Sequence, residues 1–173
     1  MESGKVVQVG TPEDILQNPA DDYVRAFFRG VDPTNVISSG DIARKSHPTI
    51  IKTKVGSLRA AHEILSGSEC DHGYVLDTHR RFLGIVSSDT LRTAIENGTP
   101  DYPIDKAFIQ EGRAVNLNES MQDILPIVAS NSWPVPVVDD DNVYKGVVSK
   151  NRFLKTLHRT ETAIDDHVEE SAA

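Results

Sequence analysis

The sequence predicts an α/β (α+β) protein built from two β-α-β-β-α repeats related by a pseudo-twofold axis, preceded by a short segment outside the repeat. The first observation behind this is self-similarity: residues 74–95 lie over 136–157 at a shift of 62 without a gap, with five of 22 positions identical. Val75 meets Val137, Asp77 meets Asp139, and Gly84-Ile85-Val86-Ser87 meets Gly146-Val147-Val148-Ser149. The second is an upstream continuation at a shift of 63, where Ser57, Leu58, Ala61, His62 and Leu65 meet Ser120, Met121, Ile124, Leu125 and Val128. Apolar residues at i, i+3, i+4 and i+7 mark one buried helical face, and the serine before each is a natural N-cap. The third is composition. A chain of 173 residues that is 38% hydrophobic and 25% charged can fill a core.

Taken in order, Lys5–Val9 has the pattern of a short strand. Thr11-Pro12-Glu13-Asp14 starts a helix, with Thr11 as N-cap and the acids at the positive end of the dipole. Asn18-Pro19 breaks it, and helix resumes over Asp21–Phe28, carrying Tyr23, Val24, Phe27 and Phe28 as a small apolar cluster. The first repeat places elements at 49–53, 57–66, 73–77, 82–87 and 89–97, with Gly98 ending the last helix. The second places them at 113–116, 120–130, 135–139, 144–149 and 151–159. Tight connections at Asp77–Arg81 and Asp139–Val143 suit hairpins. Short leading helices are expected at Gly40–Lys45 and Ile104–Phe108. The resulting divisions are 1–30, a linker at 31–40, repeats at 41–99 and 100–160, and an acidic, mobile tail at 161–173. A unit of ~60 residues struggles to bury enough surface alone, so the two repeats are expected to pack sheet to sheet.

Charge and motifs exclude several functions. Against 26 Asp and Glu stand 18 Lys and Arg, for a net charge of −8, which disfavours general nucleic-acid binding. No run approaches the ~18 apolar residues of a membrane span, and Met1-Glu2-Ser3-Gly4-Lys5 does not resemble the charged and then apolar start of a signal peptide. Cys70 is a lone cysteine, in keeping with a reducing cytosol. There is no phosphate-binding loop, dinucleotide fingerprint, nucleophile elbow or His-Glu-x-x-His helix. Cys70-Asp71-His72, with His79 nearby, is either a polar loop or a partial metal or thiol site; zinc would need three or four converging ligands. No catalytic set emerges, and no metal site is expected.

The β-α-β-β-α order, the Pro134-Val135-Pro136-Val137-Val138-Asp139 strand and the Gly-hydrophobic-hydrophobic-Ser ends resemble a tandem cystathionine-β-synthase (CBS) module over about residues 40–160. The stretch from Gly4 to Val24 is similar to the end of an ABC-transporter ATPase domain. Together they resemble the ATP-binding subunits of glycine betaine/proline importers. This resemblance implies a C-terminal regulatory portion, without ATPase activity of its own, that senses ionic strength or a nucleotide and gates transport. ATP and magnesium would belong to the ATPase domain. A free-standing CBS sensor of adenine nucleotides is the alternative.

CBS modules bind adenosine-bearing ligands in clefts between copies, through a Gly-hydrophobic-x-Ser/Thr-x-x-Asp motif. Carried over, Ser87 and Ser149 fill the hydroxyl positions, whereas Thr90 and Arg152 replace the ribose-binding acids. Asp89 comes one residue early, and one residue on a helix is a rotation of ~100°. Arg152 offers a guanidinium fork for phosphate. Candidate ligands are therefore an adenine nucleotide or cyclic di-AMP, and the competing explanation makes the serines simple helix caps. Arg152, Lys155 and Arg159 recur at i, i+3 and i+7 as a basic face, either solvated or set against anionic lipid or an acidic partner. His62 is either a pH sensor or a hydrogen-bonded core histidine. Expected partners are a second copy, the ATPase domain and the permease subunits, at the cytoplasmic face of the membrane.

Overall fold

Each half of the molecule is organised by the same hairpin. Asp77 Oδ1 accepts from the backbone N–H of His79 and Arg81, both at 2.8 Å. Asp139 Oδ1 does the same for Asp141 at 3.1 Å and Val143 at 2.8 Å. In each turn the following residue takes a left-handed conformation, Arg80 at φ 63° and Asn142 at φ 62°. The two tips then pair with each other: Phe82 N–H donates to Asn142 O at 2.9 Å, and Tyr144 N–H donates to Arg80 O at 3.0 Å. Repeated turn chemistry thus becomes a symmetric contact.

A computed structural model describes residues 6–27, 32–52, 57–98 and 103–165, with the side chains of Pro12, Glu13, Gln17, Phe27, Ser57 and 159–165 outside that description. The elements are α1 (Pro12–Gln17), α2 (Asp22–Phe27), α3 (Pro33–Val36), α4 (Ser39–Ile42), β1 (Thr49–Ile51), α5 (Ser57–Ser66), β2 (His72–Leu76), β3 (Phe82–Ser87) and α6 (Ser88–Asn97). A 3-10 turn at Ile104–Ala107 follows, then β4 (Val115–Asn116), α7 (Met121–Ser130), β5 (Val135–Val138), β6 (Tyr144–Val148) and α8 (Lys150–Asp165). Two three-stranded sheets form, β1-β2-β3 and β4-β5-β6, each with a parallel first pair and an antiparallel second pair. Both sheets carry an irregularity at the same place, Val75/Leu76 and Val137/Val138. Three capping boxes, Ser38–Asp41, Ser87–Thr90 and Ser120–Asp123, start α4, α6 and α7.

Each sheet packs on its own pair of helices. Ile50, Leu58, Leu65, Val75, Val86 and Leu91 fill the first core, and Met121, Ile124, Val128, Val137, Val148 and Phe153 fill the second. Between the sheets lies a third cluster of Tyr74, Leu76, Ile85, Tyr144 and Val147. The sheet-to-sheet arrangement expected from the repeat is present.

The leading segments are exchanged. Ile37 and Ile42, upstream of the first repeat, are buried in the second core, whereas Ile104 and Ala107, upstream of the second, are buried in the first. Fully burying an isoleucine is worth about 1.5–3 kcal/mol, so this exchange outweighs exposed pairs such as Lys52–Asp105, worth about 0–1 kcal/mol. Arg44 and Val147 trade backbone bonds at 3.0 and 2.9 Å, and Ile109 N–H donates to Ile85 O at 2.9 Å, so each leader straps the other repeat's last strand.

Several sequence expectations need correction. Residues 6–9 form no strand. The Gln8 side chain instead ties the chain back, donating to Asn18 O and accepting from Ala20 N–H, each at 2.8 Å. The leading helix expected over Gly40–Lys45 is the single turn α4, because Ala43 is already extended. Residues 32–42, within and beyond the expected linker, form α3 and α4. The last helix runs to Asp165, past the expected start of the tail, and 166–173 lie outside the described residues, as does Phe28.

Candidate functional site

Ser87 leaves β3 and caps α6. Its Oγ accepts the Thr90 N–H at 3.1 Å, and its own N–H donates to Thr90 Oγ1 at 2.9 Å. Ser149 leaves β6 and accepts the Arg152 N–H at 3.2 Å. The two candidate pairs therefore take up equivalent positions at the starts of α6 and α8, and these hydroxyls satisfy orphan helix N–H groups. Arg152 is half-buried. Beside Thr90 an open groove of about 360 Å³ runs along α6, lined by Asp89, Thr90, Thr93, Asn97, Lys106 and Phe108. Thr90 is thus both cap and groove wall, and Lys106 places one cation there.

A second concentration of polar and aromatic groups lies between the copies; of its members the sequence singles out only His72, and there as part of the Cys70-Asp71-His72 loop. Tyr74 stacks on Tyr144 with ring centroids 5.7 Å apart, and its hydroxyl donates to Pro134 O at 2.6 Å. His47 meets Tyr74 edge-on at 6.1 Å, and His72 lies 6.2 Å from Trp133. Burial pushes both tyrosine hydroxyls well above their ordinary range, with the charges of Tyr144 and Cys70 adding at Tyr74 and Arg80 opposing at Tyr144. Burial also lowers both histidines, His47 further through the charge of His72, while Asp71 partly offsets the effect at His72. Trp133 Nε1 and Tyr144 Oη are buried without a hydrogen-bond partner among the described residues. The signal available in the sequence was a histidine or tryptophan at the threshold of three strands: His47-Pro48, His72 and Trp133-Pro134.

The CBS domain family matches residues 111–159. Among solved structures, Staphylococcus aureus OpuCA superposes with a TM-score of 0.58 at 21% identity, covering 69% of this chain and 97% of that one. A CBS domain pair/ACT domain protein from Thermotoga maritima gives 0.58 at 19% identity, covering 70% and 97%. The chain folds as a CBS pair. In sequence, the pair and its leading helices match the C-terminal part of the glycine betaine/proline betaine transport system ATP-binding protein ProV of Escherichia coli, 42% identical over 92% of this chain and 39% of the relative. The glycine betaine transport ATP-binding protein OpuAA of Bacillus subtilis is 27% identical over 91% of this chain and 36% of its own length. The chain thus spans about two fifths of the curated relatives it matches.

On this CBS pair the basic face divides. Lys155 is exposed, Arg152 is half-buried beside buried Phe153 and Thr156, and the Arg159 side chain lies outside the described residues. Helix α1 packs against the same helix, with Leu16 buried in the second core. His62 is half-buried, and its Nδ1 lies 3.4 Å from the Ser66 hydroxyl, so it flanks the apolar face of α5 instead of sitting in the core. Among the described residues no group of three or more His, Cys, Asp or Glu is arranged to hold a metal, and Cys70 is half-buried in its loop. No described helix is long and apolar enough to cross a membrane.

Proposed function

We propose that this CBS pair is the regulatory part of the ATP-binding subunit of an osmoprotectant importer, gating ATP-driven transport in response to ionic strength. The observation that carries the reading is continuous similarity to the ProV relative across 92% of the chain, which takes in both the helices before the repeat and the two copies. Its mechanical support is Leu16: because α1 is seated in the second core, movement of α8 is felt by whatever precedes α1. The exposed part of the Arg152/Lys155/Arg159 face supplies the trigger, since attraction between exposed charges fades as salt rises. Partners on this reading are the ATPase domain, the permease subunits and an acidic surface or anionic lipid, at the cytoplasmic face of the membrane. A second copy is expected as well. Sedimentation should show a homodimer at micromolar concentration, and a pure monomer at high micromolar protein would contradict it.

The groove beside Thr90 favours a second reading, in which an adenine nucleotide or cyclic di-AMP is the effector. Thr90 and Arg152 offer no carboxylate to a ribose, so ATP and AMP should bind poorly. Calorimetry with ATP, AMP and cyclic di-AMP tests this: micromolar affinity for ATP or AMP would overturn the expectation of poor binding, and no binding of any of the three would overturn the nucleotide reading itself. If Arg152 holds a phosphate, Arg152→Ala should weaken binding by roughly 1.5–3 kcal/mol, as for a lost charge-assisted bond.

A further inference from the structure

We propose that His47 and His72 form an acid-sensitive latch across the interface of the two copies, holding it when neutral and loosening it when protonated. The inference is independent of the transporter reading. Both histidines belong to the first copy, at the threshold of β1 and the start of β2, and the aromatic groups they flank lead directly into the second copy. Through Tyr74, His47 adjoins Tyr144 and Pro134; His72 adjoins Trp133 directly. Both imidazoles are half-buried, so a charge on either must be desolvated among rings that offer it little compensation.

The surrounding groups set the sign. His47 Nδ1 lies 3.0 Å from the Ser46 hydroxyl, a neutral partner that is satisfied by either tautomer. Charges acting on the cluster are Asp71, which favours a protonated His72, the other histidine, which opposes it at His47, and Cys70 and Arg80 at the tyrosines. Asp71 is exposed and screened, so desolvation prevails at both sites. A histidine lowered on folding binds fewer protons in the folded than in the unfolded chain. Its contribution is therefore complete above its ordinary value of 6.5 and is lost as pH falls through the lowered folded value. The protonated pair also repels itself, so the second proton costs more than the first.

Trp133 is the single tryptophan, so its fluorescence reports on the latch without labelling. Titrating the whole chain from pH 8 to 5, tryptophan emission should change while far-UV circular dichroism holds steady. Imidazole proton resonances of His47 and His72 should titrate below the ordinary histidine value of 6.5, and His72→Gln should move the His47 midpoint upward. His47→Gln/His72→Gln should flatten the emission titration. The latch is overturned if both midpoints lie at or above the ordinary 6.5, if emission is independent of pH, or if emission changes only together with loss of helix. The wild-type resonances decide the matter even if the double variant does not fold.

Discussion

Gly84 and Gly146 occupy the same position in the two repeats but are required for different reasons. At Gly84 an added methyl would sit 2.5 Å from the Phe108 ring, a side-chain clash with no unfavourable φ behind it. At Gly146 it would sit 2.8 Å from the Arg44 carbonyl oxygen, and φ is already +148°, so both sterics and backbone object. Overpacking costs about 1–3 kcal/mol, and Gly146→Ala should lie at or beyond the upper end while Gly84→Ala lies lower. Urea midpoints of the two variants measure the difference, and equal shifts would contradict the strap geometry. Ser120→Ala removes a reciprocal cap and should cost about 0.5–2 kcal/mol by the same assay. These positions were legible because a turn aspartate, a glycine and a capping serine recur at fixed spacing. The histidines were not. His62 stands out through its place on a periodic face, whereas His47 and His72 matter through Tyr74 and Trp133, partners distant in sequence whose one local trace is a ring residue at the threshold of each strand.

At the scale of elements, α1 and α8 form the joint that gives the molecule its proposed direction of signalling. Leu16 is the buried anchor of α1, and its loss from a core costs about 2–5 kcal/mol when the site is held rigid. A six-residue helix is not held rigidly by its own hydrogen bonds, so Leu16→Ala should release α1 before it unfolds the repeats. Limited proteolysis should then cut near the N-terminus at an increased rate, with the urea midpoint of the remainder nearly unchanged. A large drop in that midpoint instead would mean α1 is an integral part of the second core. The helices and hairpins of the repeat could be read from periodicity because their partners lie nearby in sequence. The exchange of leaders could not, since Ile37, Ile42, Ile104 and Ala107 are equally apolar whichever sheet they cover. Nor could the missing N-terminal strand, because Val6, Val7 and Val9 carry a strand composition that the Gln8 amide overrides with bonds to residues 18 and 20.

At the scale of the whole molecule, the two copies share a central aromatic cluster in which Tyr74 stacks on Tyr144. Tyr74 and Tyr144 give the molecule an alkaline limit. Both hydroxyls are raised by burial, so the folded state retains protons that the unfolded state loses, and stability should fall as pH rises above the ordinary value of 10.0. Tyr74→Phe should lessen that alkaline slope in thermal melts from pH 8 to 11; an unchanged slope would place the loss elsewhere. The ionic trigger is tested most directly by transport itself. Raising salt from about 0.05 to 0.3 M shortens the screening length from roughly 14 to 6 Å, which weakens contacts of exposed charges and leaves apolar cores intact. In the reconstituted transporter bearing this CBS pair, uptake should be measured across that salt series for wild type and for Arg152→Gln/Lys155→Gln/Arg159→Gln. Higher uptake at low salt and a flattened salt response are expected in the triple variant. A salt curve identical to wild type would contradict it.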